Sequence, residues 1–441
     1  MSAPLVDEGR RAPLVLRNRA FGAVWLSQVL TQAAVRMFQV GVSWWLVAYA
    51  VEGGRGLASG LFMAVSTLPA VALAPVVARV VARSAHRSVL RTAAAVAGAV
   101  ALALAGWAWT SGLPLPAVYA ATLALATCQA FFDPCLTTSV PELVDDEDIE
   151  TATGFELSTQ SLAGLGGALL GAVTVDGAGL AGLGAGCGAA YLAAALLVTG
   201  VRFRTAPGAD GEHTEHTENT DHTENAAPER RTLRAILGGL PYVRRILVCF
   251  TAANLFTTAV FVVIPLYTRT VLDGGGSTVA LLEASLGCGT LLGSFTGARV
   301  PGRPTVTGAC CLALMAGALA LPGLFPGRPV FAGSLVVAGW CVGVIGVRFV
   351  ALFQRLVPTA DKPGFFAVMQ AVLGASFPVA SLLFGLAGDQ LSARTLCLVQ
   401  AAGLLPAAVA LALLGSPEAP ADSASPGEPA ARTPETVGSE R

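Results

Sequence analysis

A long run without a charged side chain constrains this sequence more than any other feature. Residues 92–132 contain no Asp, Glu, Lys or Arg, and only the segment 111–116 (SGLPLP) interrupts their apolar character. About 20 apolar residues are enough for a helix to cross a bilayer, and Gly and Pro mark turns. The run therefore predicts two membrane-spanning helices joined by a tight turn.

The composition extends this prediction to the whole chain. Hydrophobic residues make up 54% of the 441 positions and charged residues only 12%, whereas a soluble domain carries about 25% charged residues. Grouping the apolar runs between charges and Gly or Pro breaks predicts an all-α membrane protein with twelve transmembrane helices. The predicted spans are residues 20–50, 57–82, 89–110, 115–137, 153–175, 178–200, 246–268, 277–299, 305–325, 329–355, 366–388 and 395–414.

The distribution of basic residues predicts the orientation of these spans. With the N-terminus in the cytoplasm, the cytoplasmic connections hold about 20 of the 27 Lys and Arg residues, so the positive-inside rule predicts that both termini are cytoplasmic. Residues 1–19 carry several arginines and no apolar core. They are therefore interpreted as a cytoplasmic N-terminus and not as a secretory signal. The basic residues of the predicted outer loops are Arg55, Arg269, Arg328 and Arg394.

Two polar segments stand out from the apolar pattern of the chain. Residues 203–232 include the low-complexity run HTEHTENTDHTEN and are predicted to be a disordered cytoplasmic linker, and residues 416–441 a disordered tail. Three of the four histidines lie in the linker, so a metal-binding or pH-sensing role stands beside its interpretation as a solvated tether. The linker separates a predicted N-terminal six-helix bundle, residues 20–202, from a C-terminal bundle, residues 233–415.

Short repeats relate the two bundles. Residues 78–83 (ARVVAR) recur 220 positions later as 298–303 (ARVPGR), and the Leu-Val pair at 143–144 recurs 213 positions later at 356–357. Both markers lie in predicted cytoplasmic loops. The duplication is therefore predicted to be parallel, with the two bundles related by an axis along the membrane normal.

Several segments match the motifs of one transporter family. They are residues 16–21 (LRNRAF), 38–46 (FQVGVSWWL), 132–134 (FDP) with 140–144 (VPELV), 287–294 (GCGTLLGS) and 354–358 (QRLVP). On these motifs the sequence resembles the major facilitator superfamily, and within it the drug-exporter branch that includes macrolide-efflux and enterobactin-exporter-like proteins. The resemblance covers about residues 14–415 and implies the major facilitator fold, with the first helix lining a central cavity.

Two motifs depart from the family pattern. The family signature after the second helix pairs an Asp with arginines, whereas here Ala82 takes the Asp position beside Arg79, Arg83 and Arg87. The resemblance implies that this loop biases the conformational equilibrium, so its charge lock is expected to be weaker or differently built. The Gly-Pro motif of the fifth helix is reduced to GGALLG at 166–171. Drug antiport is therefore inferred from the overall resemblance more than from that motif.

Polar side chains inside the predicted spans are the candidates for substrate binding or coupling. A charge at mid-bilayer costs about 2.5–3.5 kcal/mol on insertion scales, so such a residue usually faces an aqueous cavity. The candidates are Gln28, Gln32, Arg36, Gln39, Gln129, Asp133, Asn254, Glu283 and Arg348.

The first helix carries the clearest of these patterns. Its four candidates are spaced i, i+4, i+8 and i+11, which places them on one helix face. Arg36 is interpreted as a transport or substrate residue, and a structural role between helices is the alternative.

Two acids are candidates for proton coupling. Asp133 shares a face of the fourth helix with Gln129, and it either carries protons or forms a salt bridge to Arg79 or Arg83. Glu283 in the eighth span is either a proton site or an interfacial residue. Asn254 and Arg348 are weaker candidates, and Arg348 is interpreted most simply as a side chain that snorkels towards the cytoplasm.

The sequence lacks the motifs of ATP hydrolysis and of other enzymatic chemistry. The patterns GxxxxGK[ST], GxSxG and HExxH are absent, and the nine cysteines lie in apolar segments without CxxC spacing. No enzyme activity, metal site or cofactor is therefore expected. The net charge of −1 and the lack of a basic domain argue against a nucleic-acid partner.

Together these features predict a monomeric secondary transporter of the bacterial cytoplasmic (inner) membrane, with a small molecule and protons as its partners. The resemblance implies efflux of an amphipathic antibiotic, siderophore or secondary metabolite, by proton antiport and alternating access. Two alternatives stay open. One is a small-molecule importer of the same fold, and the other is a non-transporting membrane sensor or scaffold.

Overall fold

The part of the chain that the computed structural model describes is built from helices. It comprises residues 14–144, 148–201, 241–358 and 362–414, and within these ranges no β-strand occurs. The predicted linker at 203–232 and the predicted tail at 416–441 lie outside the described residues, as do the first 13 residues of the predicted N-terminal segment.

Twelve long helices in the described ranges follow the twelve predicted spans and confirm the all-α membrane fold. In the first half they are α1 (Arg19–Trp45), α2 (Arg55–Ala72, continued by Ala74–Arg83), α3 (His86–Thr110), α4 (Leu115–Leu143), and α5 and α6, which share the run Ile149–Thr199. In the second half they are α7 (Pro241–Thr258, continued by Val260–Thr270), α8 (Gly276–Gly297), α9 (Pro304–Leu324), α10 (Arg328–Leu356), α11 (Lys362–Gln390) and α12 (Ala393–Leu413). A one-turn helix, Leu14–Arg17, precedes α1, and a π-helical turn, Leu46–Ala50, extends it.

Gly179 separates α5 (149–178) from α6 (180–199). Its φ of 64° and ψ of −168° are not helical, and glycine adopts a positive φ without steric cost. Gly41 of α1 lies against both Gly171 and Leu183, so the chain turns back between them. The turn is needed because a straight helix over the 38 residues Leu162–Thr199 would be about 57 Å long, nearly twice the hydrocarbon thickness of about 30 Å.

The lengths and compositions of the helices match a bilayer. Ten helical stretches of the described ranges are long and apolar enough to cross a membrane, and one of them holds both α5 and α6. The remaining span is α1, which at 27 residues is about 40 Å long but carries the polar stripe that lowers its hydropathy.

The helix ends define two faces of the bundle. The Asp389 end carries the turn between α1 and α2 and the turn between α11 and α12, whereas the His86 end carries the turn between α2 and α3. The described basic residues at the Asp389 end are Arg55, Arg269, Arg328 and Arg394. Those at the His86 end are Arg17, Arg19, Arg79, Arg83, Arg87, Arg91, Arg244, Arg245, Arg299, Arg303, Arg348, Arg355 and Lys362. This asymmetry predicts that the His86 end faces the cytoplasm.

The two halves meet along two helix pairs, α2 with α11 and α5 with α8. At the first crossing Gly60 and Gly385 lie backbone to backbone, and a Cβ added to either would come within 3.0 Å of the other's Cα. Small residues allow this approach, which strengthens van der Waals packing where both helices lie in lipid. Gly56 approaches the backbone of Gly385, and Gly276 that of Ala172, so the halves are in backbone contact at the Asp389 end.

Candidate functional site

A cavity of about 370 Å³ lies between the two halves. Its walls come from α1 and α5 of the first half and from α7, α8 and α10 of the second half. The polar lining residues are Arg36, Asn254, Thr257, Thr258, Glu283 and Thr290, and large apolar ones include Leu165, Phe261, Leu286 and Val342. The cavity therefore combines apolar walls with a few polar groups, as small-molecule sites do.

Arg36 is held at the edge of this interhalf cavity by one residue from each half. Its Nη1 atom donates a hydrogen bond to Oε1 of Gln39, 3.2 Å away on the next turn of α1. Its Cζ atom lies 5.4 Å from the ring centroid of Phe261 in α7, within the range of a cation–π contact. Both contacts orient the guanidinium, so α1 presents a fixed positive charge to the cavity.

Glu283 supplies the opposite charge from the second half. It lies two turns into α8, about 10 Å along the helix from Gly276, and only 7% of its surface is exposed. Both Glu283 and Arg36 line the interhalf cavity. Among the described residues no ion pair joins them, so a cation and a carboxylate face the same space without neutralising each other directly.

Asn254 lines the interhalf cavity and also ties α7 to α11. Its Nδ2 atom donates to the backbone oxygen of Leu373 at 3.1 Å and to Oγ of Ser376 at 2.6 Å. These bonds engage the amide nitrogen in helix packing. Asn254 therefore positions the α7 wall of the cavity, and its carbonyl oxygen is the atom left to contact a bound molecule.

A second cavity, of about 200 Å³, lies inside the first half among α1, α2, α4 and α6. Its polar lining includes Gln39, Gln129, Asp133 and the buried Tyr191. Oδ1 of Asp133 accepts hydrogen bonds from Nε2 of Gln129 and, at 2.8 Å, from Nε2 of Gln32. Since Gln39 lines this inner cavity and binds Arg36, α1 connects the two cavities through one hydrogen bond.

The polar stripe of α1 thus divides among three surroundings. Gln39 lines the inner cavity and Gln32 donates a hydrogen bond to its Asp133, whereas Arg36 lines the interhalf cavity. Gln28 lines neither of the two. It is 2% exposed, and its Nε2 atom has no hydrogen-bond partner among the residues that the structure describes.

The basic candidates at the His86 end do not line either cavity. Arg79 and Arg83 are exposed on the last turns of α2, and no ion pair between described residues joins them to Asp133. Nη2 of Arg87 donates to the backbone oxygen of Thr199 at the end of α6, and Nη2 of Arg348 donates to that of Gly302. A cation at a helix C-terminus is favourable, so Arg87 supports α6.

A hydrogen bond at the His86 end joins α3 to α4. Nδ1 of His86 lies 2.7 Å from Oε1 of Glu142, and its Nε2 lies 3.3 Å from Oγ1 of Thr138. This pair lies a few residues beyond Ala82, where the family pattern has an Asp. The expectation of a differently built charge lock in this loop therefore has a specific candidate in His86 and Glu142.

At the opposite end, Asp389 caps a helix of the other half. Oδ1 of Asp389 accepts a hydrogen bond from the backbone N–H of Gly56 at 2.7 Å, and Oδ2 accepts one from Leu57 at 3.1 Å. The first N–H groups of a helix have no intrahelical partner, and the helix dipole favours a negative charge there. A carboxylate at the end of α11 thus satisfies the N-terminus of α2.

Asp176 caps the N-terminus of α8 in the same way. Its Oδ2 atom accepts a hydrogen bond from the backbone N–H of Gly276, the first residue of α8. Its Oδ1 atom accepts from Nε1 of Trp44 at 2.6 Å and from the hydroxyl of Tyr49 at 2.8 Å. The carboxylate of α5 therefore joins α1 and its π-helical turn to the N-terminus of a helix in the second half.

The two aspartate caps, Asp389 on α2 and Asp176 on α8, are copies of one contact. The two capped glycines, Gly56 and Gly276, are 220 positions apart, and the two carboxylates are 213 positions apart. These are the offsets of the two sequence repeats, so each half closes on the other in the same way. Sequence reasoning missed both aspartates because they lie at helix ends, although applying the offset of 213 to every acid would have paired them.

Alanine at Gly56 or Gly276 is expected to loosen the Asp389 end. A Cβ at Gly56 would overlap the backbone oxygen of Gly385, and a Cβ at Gly276 would overlap that of Ala172. Overpacking costs about 1–3 kcal/mol, so hydrogen exchange of the capped amides should accelerate by about 5- to 150-fold. Hydrogen–deuterium exchange in nanodiscs checks this. Gly106→Ala is the matched control, because a Cβ there meets nothing within 4 Å, and equal exchange in all three variants would contradict the steric argument.

The described residues do not group into a metal site. No three His, Cys, Asp or Glu side chains converge in the described ranges, and the nine cysteines are free thiols.

Comparisons with known proteins agree with this architecture. The family model of the Major Facilitator Superfamily matches residues 24–307, whereas a search of curated proteins found no match. A bacterial homolog of the human lysosomal transporter Spinster, in an inward-facing and occupied conformation, has a TM-score of 0.71 at 12% identity, covering 92% of this chain and 97% of that one. A bacterial homologue of the iron transporter ferroportin in an inward-facing state has a TM-score of 0.68 at 13% identity, covering 90% and 98%.

A third solved structure, a D-xylose–proton symporter, has a TM-score of 0.66 at 13% identity, covering 89% of this chain and 96% of that one. At such low identities these likenesses report the fold and not the substrate. The family match, in contrast, spans more than half of the 441 residues, and the twelve helices agree with it. This chain belongs to the Major Facilitator Superfamily of membrane transporters.

Proposed function

We propose that this protein is a secondary active transporter that exports an amphipathic small molecule by alternating access, driven by proton antiport. The observation that carries the proposal is the interhalf cavity, whose charged groups, Arg36 and Glu283, come from different halves. A rocking motion of one half against the other would change both the access to this cavity and the separation of its charges. The apolar walls around Phe261 and Leu286 suit the apolar part of an amphipathic molecule.

The two aspartate caps support a proposal about which end of the transporter is closed. If the His86 end is cytoplasmic, as the basic residues predict, the caps of Asp176 and Asp389 hold the outer end shut. The described conformation is then inward-facing, and the outward-facing state requires both caps to break. Export would follow when the substrate enters the cavity from the His86 end. Breaking of the two caps would then open the Asp389 end, where the substrate leaves.

Transport direction distinguishes export from the importing alternative. Everted membrane vesicles from cells that overproduce the protein should accumulate a fluorescent amphiphilic cation or zwitterion when respiration acidifies their lumen, and right-side-out vesicles should not. Accumulation only in right-side-out vesicles would establish an importer. The absence of flux in both preparations would support a non-transporting sensor or scaffold.

Asp133 and Glu283 are the two candidates for proton coupling that line the described cavities. Glu283 lines the interhalf cavity and Asp133 lines the inner cavity, and the bond between Arg36 and Gln39 connects the two. A carboxyl group that is alternately buried and hydrated can exchange a proton as the cavity changes access. We propose that one of these two acids carries the coupling proton.

Glu283→Gln and Asp133→Asn are expected to differ in their effect on coupling. The variant that removes the proton carrier should keep downhill substrate exchange in proteoliposomes but lose its response to an imposed pH gradient. The other variant should keep that response. Asp273→Asn is the matched control, since the Asp273 side chain is 94% exposed at the Asp389 end. If both cavity variants respond to the gradient like the wild type, proton coupling through these residues is ruled out.

A further inference from the structure

The charge content of the interhalf cavity narrows the class of molecule that it can hold. Of the described residues that line it, only Arg36 and Glu283 carry ionisable side chains. One is cationic and the other anionic when ionised, so the cavity is dipolar and close to neutral overall. A ligand with one net charge would be attracted by one of these groups and repelled by the other.

Arg36 and Glu283 do not neutralise each other through a direct contact. In the described part of the chain no ion pair joins them, although both border the same space. A buried charge without a partner is costly, and a partner that also forms hydrogen bonds offsets that cost in part. A ligand that brings a negative group to Arg36 and a positive group to Glu283 satisfies both at once.

The local chemistry around each charge fits this assignment. The guanidinium offers a planar fork that matches the oxygens of a carboxylate, sulfonate or phosphate, and Gln39 and Phe261 orient it. Glu283 is 7% exposed and lies in α8, across the cavity from α1. Phe261, Leu286 and Thr290 also line the cavity, so a ligand that contacts both charges needs a mainly apolar body.

We propose that the interhalf cavity binds a zwitterionic amphiphile, with its anionic group on Arg36 and its cationic group on Glu283. This inference rests on the proposed function, because it names the substrate class of the same cavity. Such a ligand would bridge α1 of one half and α8 of the other. It would therefore bind with different strength in conformations that separate the two charges differently, which is what a transported substrate must do.

The test uses three probes with the same number of chain carbons, eight. They are 8-aminooctanoate, which is zwitterionic with its charges at opposite ends of the chain, octylammonium, which is cationic, and octanoate, which is anionic. Equilibrium dialysis against the full-length protein in nanodiscs, corrected for empty nanodiscs, measures binding of each. The zwitterion is expected to bind at least about 10-fold more tightly than either singly charged probe, since each charge-assisted contact contributes about that factor.

The variants make the prediction specific. Arg36→Gln should remove the preference for the zwitterion and make the cation the best ligand, whereas Glu283→Gln should make the anion the best ligand. Arg36→Lys keeps the charge and should retain the wild-type order of the three probes, which separates loss of charge from misfolding. Arg328→Ala and Asp273→Asn alter exposed charges away from the cavity and should leave all three affinities unchanged.

Several outcomes would overturn the inference. These are a wild-type protein that prefers the cation or the anion, an unchanged order of probes in both glutamine variants, and binding no greater than that of empty nanodiscs. Failure of the proposed function would give a different experimental result. A protein that binds the zwitterion but moves no probe across proteoliposomes is not a transporter, whereas one that transports only the cation is a transporter of another substrate class.

Discussion

Replacing Arg36 with alanine is expected to abolish transport while the protein still inserts and folds in the membrane. Among the described lining residues, the Arg36 side chain contributes the only positive charge of the interhalf cavity, and its described contacts are with Gln39 and Phe261. A hydrogen bond to a charged group contributes about 1.5–3 kcal/mol, so its loss should weaken substrate binding about 10- to 150-fold. The change also leaves Glu283 without a counter-charge in the cavity.

Initial rates of substrate flux in proteoliposomes measure this effect. Arg36→Lys should retain part of the activity, because it keeps the charge but not the planar fork. Arg328→Ala, at an exposed arginine of the Asp389 end, is the matched control and should transport like the wild type. Monodisperse elution of each variant on size-exclusion chromatography establishes that it folds, and a wild-type rate for Arg36→Ala would refute the assigned role.

The second large effect is expected at the two aspartate caps. Loss of a helix N-cap costs about 0.5–2 kcal/mol. Removing both carboxylates, with Asp176→Ala and Asp389→Ala, should therefore shift the equilibrium towards opening of the Asp389 end by about 2 kcal/mol. That change is a factor of about 30 in population. Because the caps are copies of one contact, the two single variants should produce similar shifts of about fivefold each.

Distances between spin labels across the Asp389 end measure this shift. Labels at Ser111 and Arg328, on exposed turns of the first and second halves, report the separation of the halves once the native cysteines are replaced. The distance distribution of the double alanine variant should move towards longer values. The corresponding asparagine variants keep one acceptor oxygen on each side chain and should shift less. Distributions identical to those of the wild type would show that the caps do not hold the end closed.

Much of the fold could be predicted from the sequence because a bilayer leaves few choices. In lipid every backbone polar group needs an internal partner, so an apolar run of sufficient length must be a helix or part of a closed barrel. The break predicted at 176–177, between the spans 153–175 and 178–200, lies two residues before the observed one at Gly179, where the positive φ of 64° suits the one residue type that adopts it freely.

The candidate site could be predicted only in part. Helical spacing placed the polar residues of α1 on one face, and Arg36 indeed lines a cavity between the halves. The same spacing could not separate Gln39, which faces the inner cavity, from Gln28, which is buried against neighbouring helices. Helical periodicity fixes only the direction of a side chain about its own axis, whereas its surroundings depend on which helices pack there.

The internal duplication, too, could be predicted from the sequence only in part. By itself the sequence determined twelve helices and two related halves, since apolar length and repeated loop motifs report local properties of the chain. Only the tertiary structure decided that Asp176 and Asp389 each cap a helix of the other half. That contact joins residues 100 and 333 positions apart, and it exists because the crossings of α5 with α8 and of α2 with α11 bring a carboxylate to unpaired backbone N–H groups.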